Sequence, residues 1–203
     1  GGYAYYPSAG YSTFAPLMVC NSVSQNGAVT VGFNRDSNTS LGEGPSRSLV
    51  NGTDEPLPYI NRNNIYSGQA TSTNYDGSIS TGYFELDAAG FAAEAVRWTN
   101  SGVETIVPLS LQHYRTLPKG ISSDGNIIVG ETYDASFNLS AFRWTPQDGI
   151  QTLPDLPQGG ATSATAISAN GHTTVGYRDD PSVGTVNFAR WQGNQVVEDL
   201  VHC

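Results

Sequence analysis

An internal repeat constrains this chain more than any other feature of its sequence. Ser22-Val23-Ser24-Gln25-Asn26-Gly27-Ala28-Val29-Thr30-Val31-Gly32 returns as Gly120-Ile121-Ser122-Ser123-Asp124-Gly125-Asn126-Ile127-Ile128-Val129-Gly130. It returns again as Ala166-Ile167-Ser168-Ala169-Asn170-Gly171-His172-Thr173-Thr174-Val175-Gly176, and a weaker copy runs from Ser72 through Asp76-Gly77 to Gly82. The closing glycines Gly32, Gly82, Gly130 and Gly176 stand 50, 48 and 46 residues apart. A second motif follows the last three copies: Ala95-Val96-Arg97-Trp98, Ala141-Phe142-Arg143-Trp144 and Phe188-Ala189-Arg190-Trp191. The first copy carries Ser46-Arg47-Ser48-Leu49-Val50 there and lacks the tryptophan, as terminal repeats often depart from their consensus.

Each unit reads as four short strands. In the last, Ser163–Ser168 leads to Asn170-Gly171, a dipeptide that favours tight turns with positive φ. Thr173–Tyr177 reads as strand two, Arg178–Gly184 as a loop holding Pro181, Thr185–Trp191 as strand three and Gln195–Val201 as strand four. Four antiparallel strands in ~46–50 residues is the size of a β-propeller blade. The expected fold is therefore all-β, a four-bladed β-propeller, with a β-solenoid as the competitor. The units fall at about 17–60, 61–110, 111–157 and 158–203, after a Gly/Tyr-rich arm over 1–16. That arm, with Tyr3, Tyr5, Tyr6 and Tyr11, reads as a loosely docked end or as a strand added to a sheet edge, its own or a neighbour's.

Composition narrows the function. Of 203 residues only 13% are charged, and eighteen acids against nine bases leave a net charge of −9. That argues against nucleic acid and against anionic lipid as partners. No apolar run approaches the ~18 residues of a membrane helix, which argues against direct insertion. The chain begins at Gly1 and its one methionine is Met18, so it reads as an exported product whose signal has been removed. Cys20 opens the first repeat and Cys203 ends the chain. In an exported protein such a pair favours a disulfide, which would form where unit four closes on unit one.

The pattern Ile/Val-Ser-x-Asp/Asn-Gly, then Val-Gly, then Ala-Phe-Arg-Trp, resembles the extracellular HAF repeat family over about residues 20–201. The third and fourth copies carry it best, including the linker Leu153-Pro154-Asp155-Leu156-Pro157. The resemblance implies a bacterial secreted or surface protein with a propeller-like fold and no transferable catalytic residues.

No catalytic constellation stands out. His113, His172 and His202 are the only histidines, and no Gly-x-Ser-x-Gly elbow accompanies them. No metal motif occurs; Asp134 and Asp179-Asp180 follow strand two of their units, where a ring of carboxylates would suit Ca²⁺, but solvated loop acids are the simpler reading. Gly27, Gly32, Gly77, Gly82, Gly125, Gly130, Gly171 and Gly176 read as repeat-forming residues. Trp98, Trp144 and Trp191 read as packing between sheets, with an aromatic ring for sugars as the alternative. The expectation is thus a non-enzymatic extracellular repeat protein with a structural, adhesive or self-assembling role, its partners being itself or other surface proteins. A lectin-like glycan binder and a glycoside hydrolase using loop carboxylates are the two rivals.

Overall fold

The computed structural model describes residues 3–6, 10–13, 18–34, 44–62, 64–155, 159–180 and 184–200. Its elements are strands, with no helix among the described residues. β1 (Tyr3–Tyr6) and β2 (Gly10–Thr13) pair with each other, Tyr5 opposite Tyr11, so the arm folds as its own hairpin. Four antiparallel meanders follow. The first holds β3 (Met18–Val23), β4 (Val29–Asn34), β5 (Gly44–Leu49) and β6 (Asp54–Pro56). The second holds β7 (Ser67–Thr73), β8 (Ser80–Glu85), β9 (Ala93–Thr99) and β10 (Gly102–Val107). The third holds β11 (Arg115–Ile121), β12 (Ile128–Tyr133), β13 (Leu139–Thr145) and β14 (Gly149–Thr152). The fourth holds β15 (Thr162–Ile167), β16 (Thr173–Asp180), β17 (Thr185–Gln192) and β18 (Gln195–Leu200). A single parallel bridge, Arg115 to Ala93, joins the second and third sheets. The meanders are the blades of a β-propeller, and their antiparallel order excludes a parallel solenoid. In the last blade, residues 178–180 continue β16 where the sequence reads as loop, pairing with Thr185–Asn187 of β17.

The repeated turn is a closed hydrogen-bond unit. Ser24 Oγ accepts from Val29 N at 2.9 Å and donates to Asn26 Oδ1 at 2.8 Å, which in turn accepts from Ala28 N at 3.0 Å. Ser122 and Asp124 repeat this with Ile127 and Asn126, and Ser168 and Asn170 repeat it with Thr173 and His172. In the second blade Asn74 takes the serine's place through its own side-chain oxygen, bonded to Ile79 N at 3.0 Å. Only the glycines have positive φ: 73° at Gly27, 80° at Gly77, 75° at Gly125 and 72° at Gly171. The Asn or Asp before each glycine serves instead as a side-chain acceptor, which is why those two types interchange there.

The closing glycines have a different cause. Each innermost strand carries a β-bulge, at Cys20/Ser22, Ala70/Ser72, Pro118/Gly120 and Ala164/Ala166. The bulge turns a carbonyl onto the facing strand, so a Cβ at Gly32, Gly82, Gly130 or Gly176 would lie 1.8, 2.0, 2.2 or 1.9 Å from that oxygen. The extra residue of the third bulge is Lys119, the only lysine in the chain. Its Nζ bonds Glu131 Oε2 at 2.6 Å and Ser163 Oγ of the fourth blade at 3.1 Å.

Three apolar clusters fill the three spaces between successive blades. The first joins Val29 and Val31 to Ala70, Phe84, Val96 and Trp98; the second joins Ala95 and Val107 to Ile128, Phe142 and Trp144; the third joins Val129 and Ala141 to Ala164, Ala189 and Trp191. Each tryptophan therefore faces the blade before its own. Trp98 Nε1 donates to Pro58 O at 2.8 Å and Trp191 Nε1 to Pro154 O at 3.0 Å, both carbonyls in the linker leaving the preceding blade. The arginine beside each tryptophan faces the other way, as alternation along a strand requires, and Arg97 lies 5.5 Å over the Trp144 ring. Ser48 sits at the tryptophan position of the first blade, opposite Thr30 as Trp98 is opposite Ser80. At the inner turns the blades are also chained by backbone bonds, Asn26 N to Tyr75 O, Tyr75 N to Ser123 O and Ser123 N to Ala169 O.

Candidate functional site

The face that each blade presents to its successor is centred on one residue of strand two and one of strand three. In the first three blades the strand-two residue is Val31, Thr81 or Val129, and all three are 0% exposed. The same face of the fourth blade has no cover among the described residues. Val175 is 42% exposed there, Val186 63% and Phe188 66%. Register places Val175 opposite Arg190, Tyr177 opposite Phe188 and Asp179 opposite Val186, so these side chains share one side of the sheet. Phe188 stands where the interior blades have Ala95 and Ala141, each fully buried against a tryptophan of the next blade.

The turn glycines give the same picture. A Cβ at Gly77 would meet Val29, one at Gly125 would meet Ile79, and one at Gly171 would meet Ile127, each from the preceding blade. At Gly27 nothing among the described residues lies within 4 Å. Among the described residues no strand pairing and no extensive packing joins β15–β18 to β3–β6, so the four blades run as an arc from first to last.

A second exposed surface lies on the strand-two to strand-three loops of the middle blades. Phe91 and Phe137 are half-exposed and meet edge to face at 5.8 Å, and Tyr114 meets Phe137 at 6.2 Å. Phe137 has φ of 62°, a left-handed conformation costly for a bulky residue. Asp134 holds it there by accepting from Ser136 N at 2.8 Å, from Asn138 N at 2.9 Å and from Asn138 Nδ2 at 2.7 Å. Asp87 folds the equivalent loop onto Phe91 N and Ala92 N. Phe91 and Phe137 stand 46 residues apart, as Trp98 and Trp144 do, a spacing from which the sequence could have revealed this surface; Tyr114 comes from the linker between the two blades and carries no such signal.

The remaining sequence candidates are dispersed. Cys20 carries a free thiol on β3, its pKa raised first by burial; Cys203 lies outside the described residues. Tyr3, Tyr5, Tyr6 and Tyr11 all fall on the β1–β2 hairpin. His113 is half-buried, paired through Nδ1 with Thr132 Oγ1 at 3.2 Å, and burial lowers its pKa. His172 is exposed in the last inner turn, and His202 lies outside the described residues. Asp134 is engaged as above, Asp179 is exposed on β16, and no group of three His, Cys, Asp or Glu side chains converges for a metal among the described residues.

No protein-family model and no curated protein matches the sequence. Solved structures do match in fold. The putative TolB from Agrobacterium tumefaciens aligns with 93% of this chain and 64% of its own length, at 13% identity and a TM-score of 0.62. TolB from Acinetobacter baumannii aligns with 93% of this chain and 45% of its own, at 14% identity and a TM-score of 0.60. The β-propeller domain of the Trilobed protease from Pyrococcus furiosus, which has an open velcro topology, aligns with 94% of this chain and 58% of its own, at 7% identity and a TM-score of 0.61. This chain thus spans less than two thirds of each of these proteins, and at such identities the likeness is one of fold.

Proposed function

We propose that this chain is a non-catalytic propeller domain of an exported, surface-associated protein, and that it works by assembly through the outer face of its last blade. The observation that carries the reading is the exposed set Val175, Val186 and Phe188, at positions that the interior blades bury. Covering each would contribute about 1–2 kcal/mol for the apolar area still open. The occupant we favour is a second copy of the chain, because a symmetric pair is the commonest way to cover such a face. The resemblance to extracellular HAF repeats and the acidic, charge-poor composition support a place outside the cell. The exposed aromatic loops add a second contact surface, and the β1–β2 hairpin a third.

Sedimentation of the purified chain across a concentration series tests this. Self-association that Phe188→Lys abolishes is the expected result. A chain that stays monomeric at all concentrations, indistinguishable from Phe188→Lys, refutes assembly through this face. Turnover on a broad glycoside panel tests the non-catalytic reading, and any saturable hydrolysis refutes it.

A further inference from the structure

A cavity of about 330 Å³ lies in the first blade, at the end of the sheet where Asn34 pairs with Gly44. That is the small end of the ~300–1,000 Å³ range of small-molecule sites, yet roughly ten times the ~30 Å³ share of one water. Its walls include Met18, Pro45 and Pro56, with Tyr59 on the linker that follows. Tyr59 is held by stacking on Phe84 at 5.1 Å between ring centroids. Its hydroxyl sits so close over Gly44 that a Cβ there would come within 2.5 Å of it, so glycine keeps the cavity's wall in place.

Two polar atoms of this lining have no hydrogen-bond partner among the described residues. Ser46 is only 5% exposed and its Oγ makes no hydrogen bond; Asn34 Oδ1 is buried and likewise unbonded. A buried polar atom without a partner costs free energy, about 1–3 kcal/mol, and two in one cavity point to a ligand that bonds both. The charge of the lining selects the ligand further. Asp54 and Glu55 are its charged members, and the nearby guanidinium of Arg47 is already bound to Glu55 at 2.7 Å. Among the described residues no basic side chain lines the cavity, so an anion would meet carboxylates there. A neutral molecule with hydroxyls and CH faces suits both the unbonded polar atoms and the proline and tyrosine surfaces.

We propose that this cavity binds one neutral sugar unit, its hydroxyls on Ser46 Oγ and Asn34 Oδ1 and its apolar face against Met18, Pro56 and Tyr59. The site belongs to the first blade alone, since Pro45 and Ser46 stand where the later blades have Ala95-Val96, Ala141-Phe142 and Phe188-Ala189. It is separate from the face proposed for assembly, which lies on the fourth blade, a sheet that neither pairs nor packs extensively with this one among the described residues.

Calorimetry and ligand-observed NMR on the whole chain test the proposal, with glucose, galactose, mannose and N-acetylglucosamine as neutral probes, glucuronate as the anionic probe and tetramethylammonium as the cationic one. The expected result is saturable millimolar binding of at least one neutral sugar, with glucuronate and tetramethylammonium at least about tenfold weaker. Ser46→Ala should weaken that sugar about three- to tenfold while leaving the ligand-free melting temperature unchanged or higher, because it removes an unbonded buried hydroxyl. Absence of saturation by every neutral sugar up to about 100 mM would show that the cavity holds water only and would overturn the proposal. Equal or tighter binding of glucuronate or tetramethylammonium would overturn it too, as would full affinity in both Ser46→Ala and Asn34→Ala.

Discussion

Replacing the four turn glycines by alanine, one at a time, separates local strain from contact between blades. All four have positive φ between 72° and 80°, so each Gly→Ala carries the same left-handed penalty of about 1–2 kcal/mol. The surroundings differ. At Gly27 the new methyl meets nothing within 4 Å among the described residues, so strain is the whole expected cost. At Gly171 it would lie 2.3 Å from Ile127 Cδ1 but 3.4 Å from Cγ1, and the end of that side chain can rotate away. At Gly125 it would lie 2.6 Å from Ile79 Cδ1 and 2.9 Å from its Cβ, so the whole side chain must shift. At Gly77 it would lie 2.3 and 2.4 Å from Val29 Cγ2 and Cβ, and a β-branched residue on a strand has no rotamer that clears it. Overpacking of this kind adds about 1–3 kcal/mol. The expected order of destabilisation is G77A, then G125A, then G171A, then G27A, spanning about 1 to 5 kcal/mol. Urea unfolding followed by tryptophan fluorescence and circular dichroism measures it, and Ile79→Ala combined with G125A should cost less than the sum of the two singles. If G27A proves as damaging as G125A, Gly27 is covered by another blade and the arc is closed in solution. If all four cost the same, contact between blades plays no part and the reasoning fails.

Two further expectations follow from the same contacts. Trp191→Ala should cost about 3–5 kcal/mol and Trp191→Phe mainly the bond to Pro154, about 0.5–1.5 kcal/mol; because a terminal blade has one neighbour, hydrogen exchange should rise first in β15–β18, and unchanged protection there would contradict the packing. Stability should also fall in two acid steps. His113 titrates below 6.5 because it is buried, so the unfolded chain takes up its proton first and stability declines as pH drops from about 6.5 towards the folded value, a slope that His113→Asn should flatten in urea titrations. Asp124 is held below 3.8, first by the Ser122 hydroxyl and then by Asn126, so its contribution is complete above that pH and disappears only as pH falls through the folded value. A Ser122→Ala variant with an unaltered Asp124 titration by NMR would sink that assignment.

The parts of this fold that were legible in sequence are those whose causes are local. A Ser-x-Asp/Asn-Gly segment closes its own hydrogen bonds within five residues, so its position fixed where strands one and two meet. Alternation along a strand likewise fixed that Arg190 and Trp191 point to opposite sides. Even here the local reading misjudged one cause: positive φ at the glycine and a side-chain acceptor at the Asn or Asp do the work that an Asn-Gly tight turn would have done.

What the sequence determined by itself, then, is the period, the four strands of each unit and the turn that begins each hairpin. Only the tertiary structure decided what lies beside each blade. Gly82 and Gly130 are glycines because a bulge on a paired strand aims a carbonyl at them, and Gly77 and Gly125 because a side chain from another blade fills their space. Phe188 occupies a position that the interior blades fill with Ala95 and Ala141, and its exposure follows from the lack of a covering sheet among the described residues. The cavity of the first blade draws Met18, Asn34, Ser46 and Tyr59 from four segments that share no spacing. Contacts of that kind depend on the angle and distance at which sheets stack, and those are properties of the packed assembly that no single repeat encodes.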